Sequence, residues 1–326
     1  MSQISQHIAP DGLQRIVMEN AALRLSLIPE VGGKIYELVD RRSGFNWLWH
    51  HPRLRPTPEL ANAPFIEELD CGGWDEIVFS VTPCEIAGED GTRWSIPSHG
   101  KVVGQNWRVT TTDEHGDGSV SVAFRAQGND PTFHFDRTVW LAADGAYLRL
   151  DYTLKNLGAY RIPGYWCAHP LFRVDENTRI HLQGQPRIRV DQFASASAEP
   201  VGEHNWPTLR CNGAGDIDLD SCFGAERRFA SKVYVPTPTD GAVSLSRADG
   251  TQRLRMQFDP DAAPWVGLWI NCRAWSGSGD EPYFNMGIEP ATAGYDDVRA
   301  AITAGEVPFI DSGDELRWSI QLELSA

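Results

Sequence analysis

Between Leu316 and Leu324 every second residue is apolar (Leu316, Trp318, Ile320, Leu322, Leu324), and each residue between them is polar. A two-residue period of this kind places the apolar set on one face of an extended strand, and no helix can bury it on one side. The alternation recurs in 119–125, where Val120, Val122 and Phe124 alternate with small or polar residues, and again in 133–141. The segments 22–28 and 34–40, separated by Pro29 and the Gly32-Gly33 pair, predict an opening hairpin or meander. Two tight hairpins are marked by Asp-Gly pairs, Asp144-Gly145 within 139–154 and Asp249-Gly250 within 243–258.

Helical spacing is confined to Tyr295–Ala304, where Val298, Ala301 and Ile302 share a face and Gly305 can end the helix. Strands and helices do not alternate along the chain, as they would if crossovers joined parallel strands. The expected fold is therefore all-β, a large antiparallel β-sandwich with few short helices, formed as one domain over residues 1–326. Two stretches, 49–73, rich in Pro and ending in Cys-Gly-Gly, and 183–218, with Gln, Pro, Ser and Gly throughout, are expected to be long loops, where binding residues tend to gather.

A net charge of −15 disfavours nucleic acid and anionic membranes as partners, because both repel the chain at long range. No basic start followed by an apolar stretch opens the sequence, and no run approaches the roughly twenty apolar residues that cross a bilayer, so a cytoplasmic protein is expected. The six cysteines form no CxxC pair and read as small buried groups rather than zinc ligands or disulfides; neither a metal nor a cofactor is expected.

Three separated words carry the chemistry: Ser-His-Gly at 98–100, Ala-His-Pro at 168–170 and Ile-Glu-Pro at 288–290. Together they supply His99, His169 and Glu289. Histidine titrates nearest neutrality, so an imidazole with a carboxylate can deliver one proton while removing another. Any one of nine histidines can equally do no more than satisfy a local hydrogen bond. Several of the twelve tryptophans stand beside polar candidates: Trp74 before Asp75 and Glu76, Trp94 near His99, Trp166 near His169, Trp269 near Asn271. Most tryptophans fill cores, but an aromatic face with polar neighbours also suits a sugar ring.

The ordered series S-H-G (His99), A-H-P-L-F (His169), D-S-C-F (Asp220) and G-I-E-P (Glu289) resembles the galactose mutarotase, or aldose 1-epimerase, superfamily. The resemblance runs from about Leu23 to the C-terminus and implies the galactose mutarotase-like supersandwich. It further implies that Glu289 takes the proton of the anomeric hydroxyl and His169 protonates the ring oxygen. His99 would hydrogen-bond the ring oxygen or a neighbouring hydroxyl, and Asp220 would bind sugar hydroxyls. A carboxylate near His169 would favour the imidazolium that such an acid needs.

Galactose mutarotases carry a Gly-Arg stretch before the His-Gly word, whereas this chain reads Cys71-Gly72-Gly73-Trp74-Asp75-Glu76 there, which leaves the sugar open. Asp75 and Glu76 are expected to sit in a Gly-flanked loop, as either specificity contacts or turn caps. Trp74, Trp166 and Asn271 are further candidate sugar contacts, and Arg173 either lies in solvent or binds an anionic sugar group. The expected partner is a monosaccharide, neutral or anionic, and the protein a monomer or homodimer. Two rival readings are a glycoside hydrolase or lyase using Asp220 and Glu289, and a sugar-binding protein without turnover.

Overall fold

The computed structural model describes residues 1–325 apart from 59–63, 90, 130, 214, 248–249 and 280. Two large antiparallel sheets, of fourteen and eight strands, dominate it. The larger sheet begins with Gln3–Ile8, Gln14–Glu19, Leu23–Ile28, Lys34–Asp40 and Trp74–Val78. It continues through Trp166–Arg173, Phe284–Ala291, Trp265–Cys272, Phe229–Pro236 and Arg187–Ala194, and ends in short strands up to Ile217–Asp218. The smaller sheet includes Val120–Asn129, Thr132–Leu141, Tyr147–Asn156 and Glu315–Ser325.

The alternation read from the sequence is realised directly. Trp318, Ile320, Leu322 and Leu324 are buried, while Arg317, Gln321 and Glu323 are exposed. One continuous apolar core joins the two inner faces, from Leu25 and Trp74 in the larger sheet to Leu150 and Ile320 in the smaller. The opening strands Leu23–Ile28 and Lys34–Asp40 pair antiparallel, and the Asp144-Gly145 hairpin turns with Gly145 at φ 74°. The 249–250 pair of the second hairpin lies partly outside the described residues, although its strands pair in register.

Two local expectations change. The helix covers Val298–Ala304, shorter than 295–304: the Asp297 carboxylate accepts from the Arg299 N–H at 2.8 Å and caps it, and Gly305 ends it in the left-handed region at φ 70°. Within 183–218, Arg187–Ala194 is an eight-residue strand of the larger sheet, and five strands of two or three residues follow it among the described residues. Strands this short at a sheet edge show too few residues for alternation to stand out. Residues 49–73 hold a single π-helical turn, Phe65–Leu69, and an isolated bridge from His50 to Gly72 among the described residues. Among the described residues no helix is long and apolar enough to cross a membrane, and no group of three or more His, Cys, Asp or Glu side chains is placed to hold a metal ion. All six cysteines are free, and only Cys211 is partly exposed.

Candidate active site

The site follows from strand register. His169 pairs with Asp75 on one neighbouring strand. On the other side, Cys167 pairs with Ala291 and Leu171 with Gly287, so His169 falls opposite Glu289. Pro170 and Pro290 lack N–H groups, and the ladder is open between those two pairs. Beyond Glu289 comes Gly267, then Tyr234. Ile35 pairs with Trp74, which sets Lys34 opposite Asp75. One transverse row therefore reads Lys34, Asp75, His169, Glu289, Gly267, Tyr234, all on the face of the larger sheet turned away from the smaller one. Opposed side chains in such pairs have Cβ atoms about 4.5–5.5 Å apart.

Residues one step along each strand point the other way, into the core. This separates Asp75 from Glu76 and corrects the reading of both as a loop: they lie on strand Trp74–Val78 and face opposite sides. Glu76 accepts from Arg137, Tyr152 and Trp166 inside the sandwich, at 3.2, 2.8 and 2.9 Å. Trp74 and Trp166 are wholly buried core residues. Asp75 pairs with Lys34 in the row, both buried. None of these four is among the described residues lining the cavity below.

A cavity of about 280 Å³ opens on the row. His99, His169 and Glu289 all line it, with Lys232, Asp296 and Asp70 as its other charged or titratable groups and Trp269, Trp275 and Tyr283 as its aromatic wall. The three words of the sequence thus meet at one place. The His99 and His169 rings meet edge to face at 5.1 Å. His99 arrives from a turn that its sequence dictates. It takes φ 64°, Gly100 takes φ 81°, and a Cβ on Gly100 would lie 2.3 Å from the Val78 carbonyl oxygen. Ser98 Oγ lies 2.9 Å from His99 Nδ1.

The electrostatics differ from the expected imidazolium. Burial pushes His169 down to about 3, and the Lys232 and Lys34 ammonium groups push the same way. Two carboxylates flank His169, but each is already engaged by a lysine, Asp75 by Lys34 and Glu289 by Lys232. His169 is therefore neutral near pH 7. Burial and His169 likewise hold His99 well below its usual value. Burial raises Glu289 against the pull of Lys232. Burial opposes the charge on Lys232, yet Asp296 and Glu289 outweigh it and keep the ammonium protonated.

Lys232 and Asp296 are the residues that sequence reasoning missed. The ammonium contacts Glu289 and lies 3.5 Å from Asp296. The Asp296 carboxylate also accepts from Tyr234 Oη at 2.7 Å and Gln192 Nε2 at 3.0 Å. A lysine inside the buried run Phe229–Val235 was the available signal, since lysine is rarely fully buried without a partner.

Asp220 lies elsewhere. It borders a separate shallow hollow with His181, Trp206, Asp240 and Arg255. The four-residue word that suggested it specifies a turn at Leu219–Ser221, not a direction toward the cavity. Arg173 is exposed with its guanidinium 4.8 Å from the Phe45 ring centre, and does not line the cavity. Asn271 acts one step back: its Nδ2 donates to the Trp275 carbonyl at 2.9 Å and its Oδ1 accepts from the Ala274 and Trp275 N–H groups, holding the turn that places Trp275 in the wall.

Solved structures with this architecture are numerous. A galactose mutarotase-like protein from Clostridium acetobutylicum superposes with a TM-score of 0.68 at 16% identity, covering 99% of this chain and 98% of that one. The chain has the galactose mutarotase-like fold. A candidate aldose 1-epimerase from Klebsiella pneumoniae gives 0.70 at 13% identity, over 99% of this chain and 83% of that one. A galactose mutarotase related enzyme from Lactobacillus acidophilus gives 0.62 at 12% identity, over 96% and 97%. No family model matches the sequence, and no curated protein matches it. At these identities the likeness carries the mutarotase-like fold and leaves activity to be argued from the site.

Proposed function

We propose that the protein is an aldose 1-epimerase that interconverts the α and β anomers of a monosaccharide. The observation that carries this reading is the opposition of His169 and Glu289 across adjacent strands at the floor of a cavity of about 280 Å³. Ligand pockets for drug-sized molecules run to about 300–1,000 Å³, so this one suits a single sugar ring better than a polymer. The aromatic wall of Trp269, Trp275 and Tyr283 offers a stacking face for the sugar C–H groups.

Ring opening moves two protons. Glu289 Oε1, buried and without a hydrogen-bond partner among the described residues, takes the proton of the anomeric hydroxyl. His169 works as a neutral imidazole whose N–H meets the ring oxygen as charge develops there, a role for which a depressed pKa suits histidine. As that proton passes to the ring oxygen, the one held on Glu289 restores the imidazole, and closure onto the other face reverses the sequence. The pH dependence separates this from an imidazolium acid. With His169 near 3, kcat/KM corrected for the spontaneous rate is expected to show no falling limb between pH 6 and 8. A fall centred near 6.5 would reinstate the imidazolium.

The charge of the cavity selects among sugars. Its described lining carries Asp70, Glu289 and Asp296 against Lys232, with no arginine. Exchange NMR over a panel of aldoses is expected to show acceleration for neutral sugars at least tenfold above that for uronic, phosphorylated or sulfonated ones. Acceleration of none of them defeats the epimerase reading, and sugar binding without exchange would identify a binding protein instead.

A further inference from the structure

Lys232 has no place in the two-proton scheme, yet it contacts the group that performs half of it. Its side chain starts from strand Phe229–Pro236, two strands away from Glu289, with strand Trp265–Cys272 between them. The reach is possible because the intervening residue opposite Glu289 is Gly267. A Cβ there would sit 3.1 Å from Lys232 Cε and 3.3 Å from Glu289 Cβ. The contact is made to one oxygen only. Glu289 Oε2 takes the ammonium and has Cys167 Sγ at 3.5 Å, whereas Oε1 has no hydrogen-bond partner among the described residues. Gly287 leaves that second oxygen its space, since a Cβ there would lie 2.7 Å from Oε1.

Building on the epimerase reading, we propose that Lys232 is a positioning residue for Glu289: its ammonium holds Oε2, keeps the carboxylate ionised, and leaves Oε1 free toward the sugar. The groups facing Glu289 are Lys232 and Tyr234 from one strand, Cys167 and His169 from another, and Asp296 and Tyr165 from the segments beside them. Lys232 is the only cation in that set. Among the described residues, Asp296 has no other ion-pair partner to take its place if it were lost. Glu289 would then face burial and a neighbouring carboxylate with no opposing charge, and both favour its protonated form.

The test reads the carboxyl group itself. In protein labelled with ¹³C-carboxyl glutamate, the Glu289 resonance is assigned by its loss in Glu289→Gln, and its titration is followed in wild type, Lys232→Met and Lys232→Arg. Lys232→Met is expected to raise the midpoint by about 1–3 pH units, the effect of removing an adjacent opposite charge, and Lys232→Arg to return it toward wild type. The acid limb of kcat/KM should move with it. Should Lys232→Met fail to fold, Gly267→Ala crowds the lysine away from Glu289 while keeping the charge, and a smaller upward shift is expected. A midpoint unmoved in these variants overturns the proposal, even if activity falls. A Lys232-dependent midpoint in a protein that exchanges no anomers upholds the coupling and removes only the epimerase reading.

Discussion

Glu289→Gln and His169→Ala are each expected to lower anomer exchange by about 10²–10⁴-fold, the usual contribution of one positioned acid or base. Glutamine keeps the shape of the Glu289 side chain and, with Asp296 still 3.5 Å from Lys232, leaves the buried ammonium a partner, so the loss reports chemistry rather than collapse. His169→Ala removes the imidazole between Asp75 and Glu289 while their lysine pairs persist. Because the two residues act on one proton cycle, the double variant should be little worse than the poorer single one. Polarimetry or exchange NMR measures the rates, and circular dichroism checks the fold. Retained activity in either single variant would remove that residue from the mechanism.

The largest effect on stability is expected at Arg137, which no solvent reaches. Its guanidinium sits between the sheets, 5.0 Å from the Trp107 ring centre and 5.6 Å from that of Phe124, and bonds the Gly33 carbonyl and Glu76. Arg137→Met strands a buried carboxylate and should cost about 3–5 kcal/mol. The loss should depend on pH. Burial raises Glu76 to about 7 from 4.5, despite Arg137, so its contribution to folding is fully present below about 4.5 and is lost as pH rises through 7. Without Arg137 the folded value climbs further, and the penalty widens above neutrality. Urea unfolding at pH 5 and pH 8 should therefore show the greater difference from wild type at pH 8, and adding Glu76→Gln should recover much of it. An equal loss at both pH values would contradict this account of the ion pair.

Strand content, the hairpins and the helix stop were legible in the sequence because each depends on neighbours within a few residues: alternation at 316–324, Gly145 in a turn, Gly305 past a helix end. Short motifs also named His99, His169 and Glu289. The same motifs misplaced Asp220 and grouped Asp75 with Glu76, because a word in a sequence carries no information about which face of a sheet its side chains take. Arg187–Ala194 went unread as a strand for a related reason, since its register shifts between Val190 and Gln192 and its burial does not alternate cleanly.

What tertiary structure alone decided is the charge on the chemistry. From sequence, a carboxylate beside His169 argued for an imidazolium; in the fold both flanking carboxylates already answer to lysines that start from distant strands, Lys34 and Lys232, and burial makes the imidazole neutral. Local geometry follows from nearest neighbours along the chain, but a proton's energy follows from every charge within a few ångströms and from how much water is kept out, and only the folded sheet brings those together.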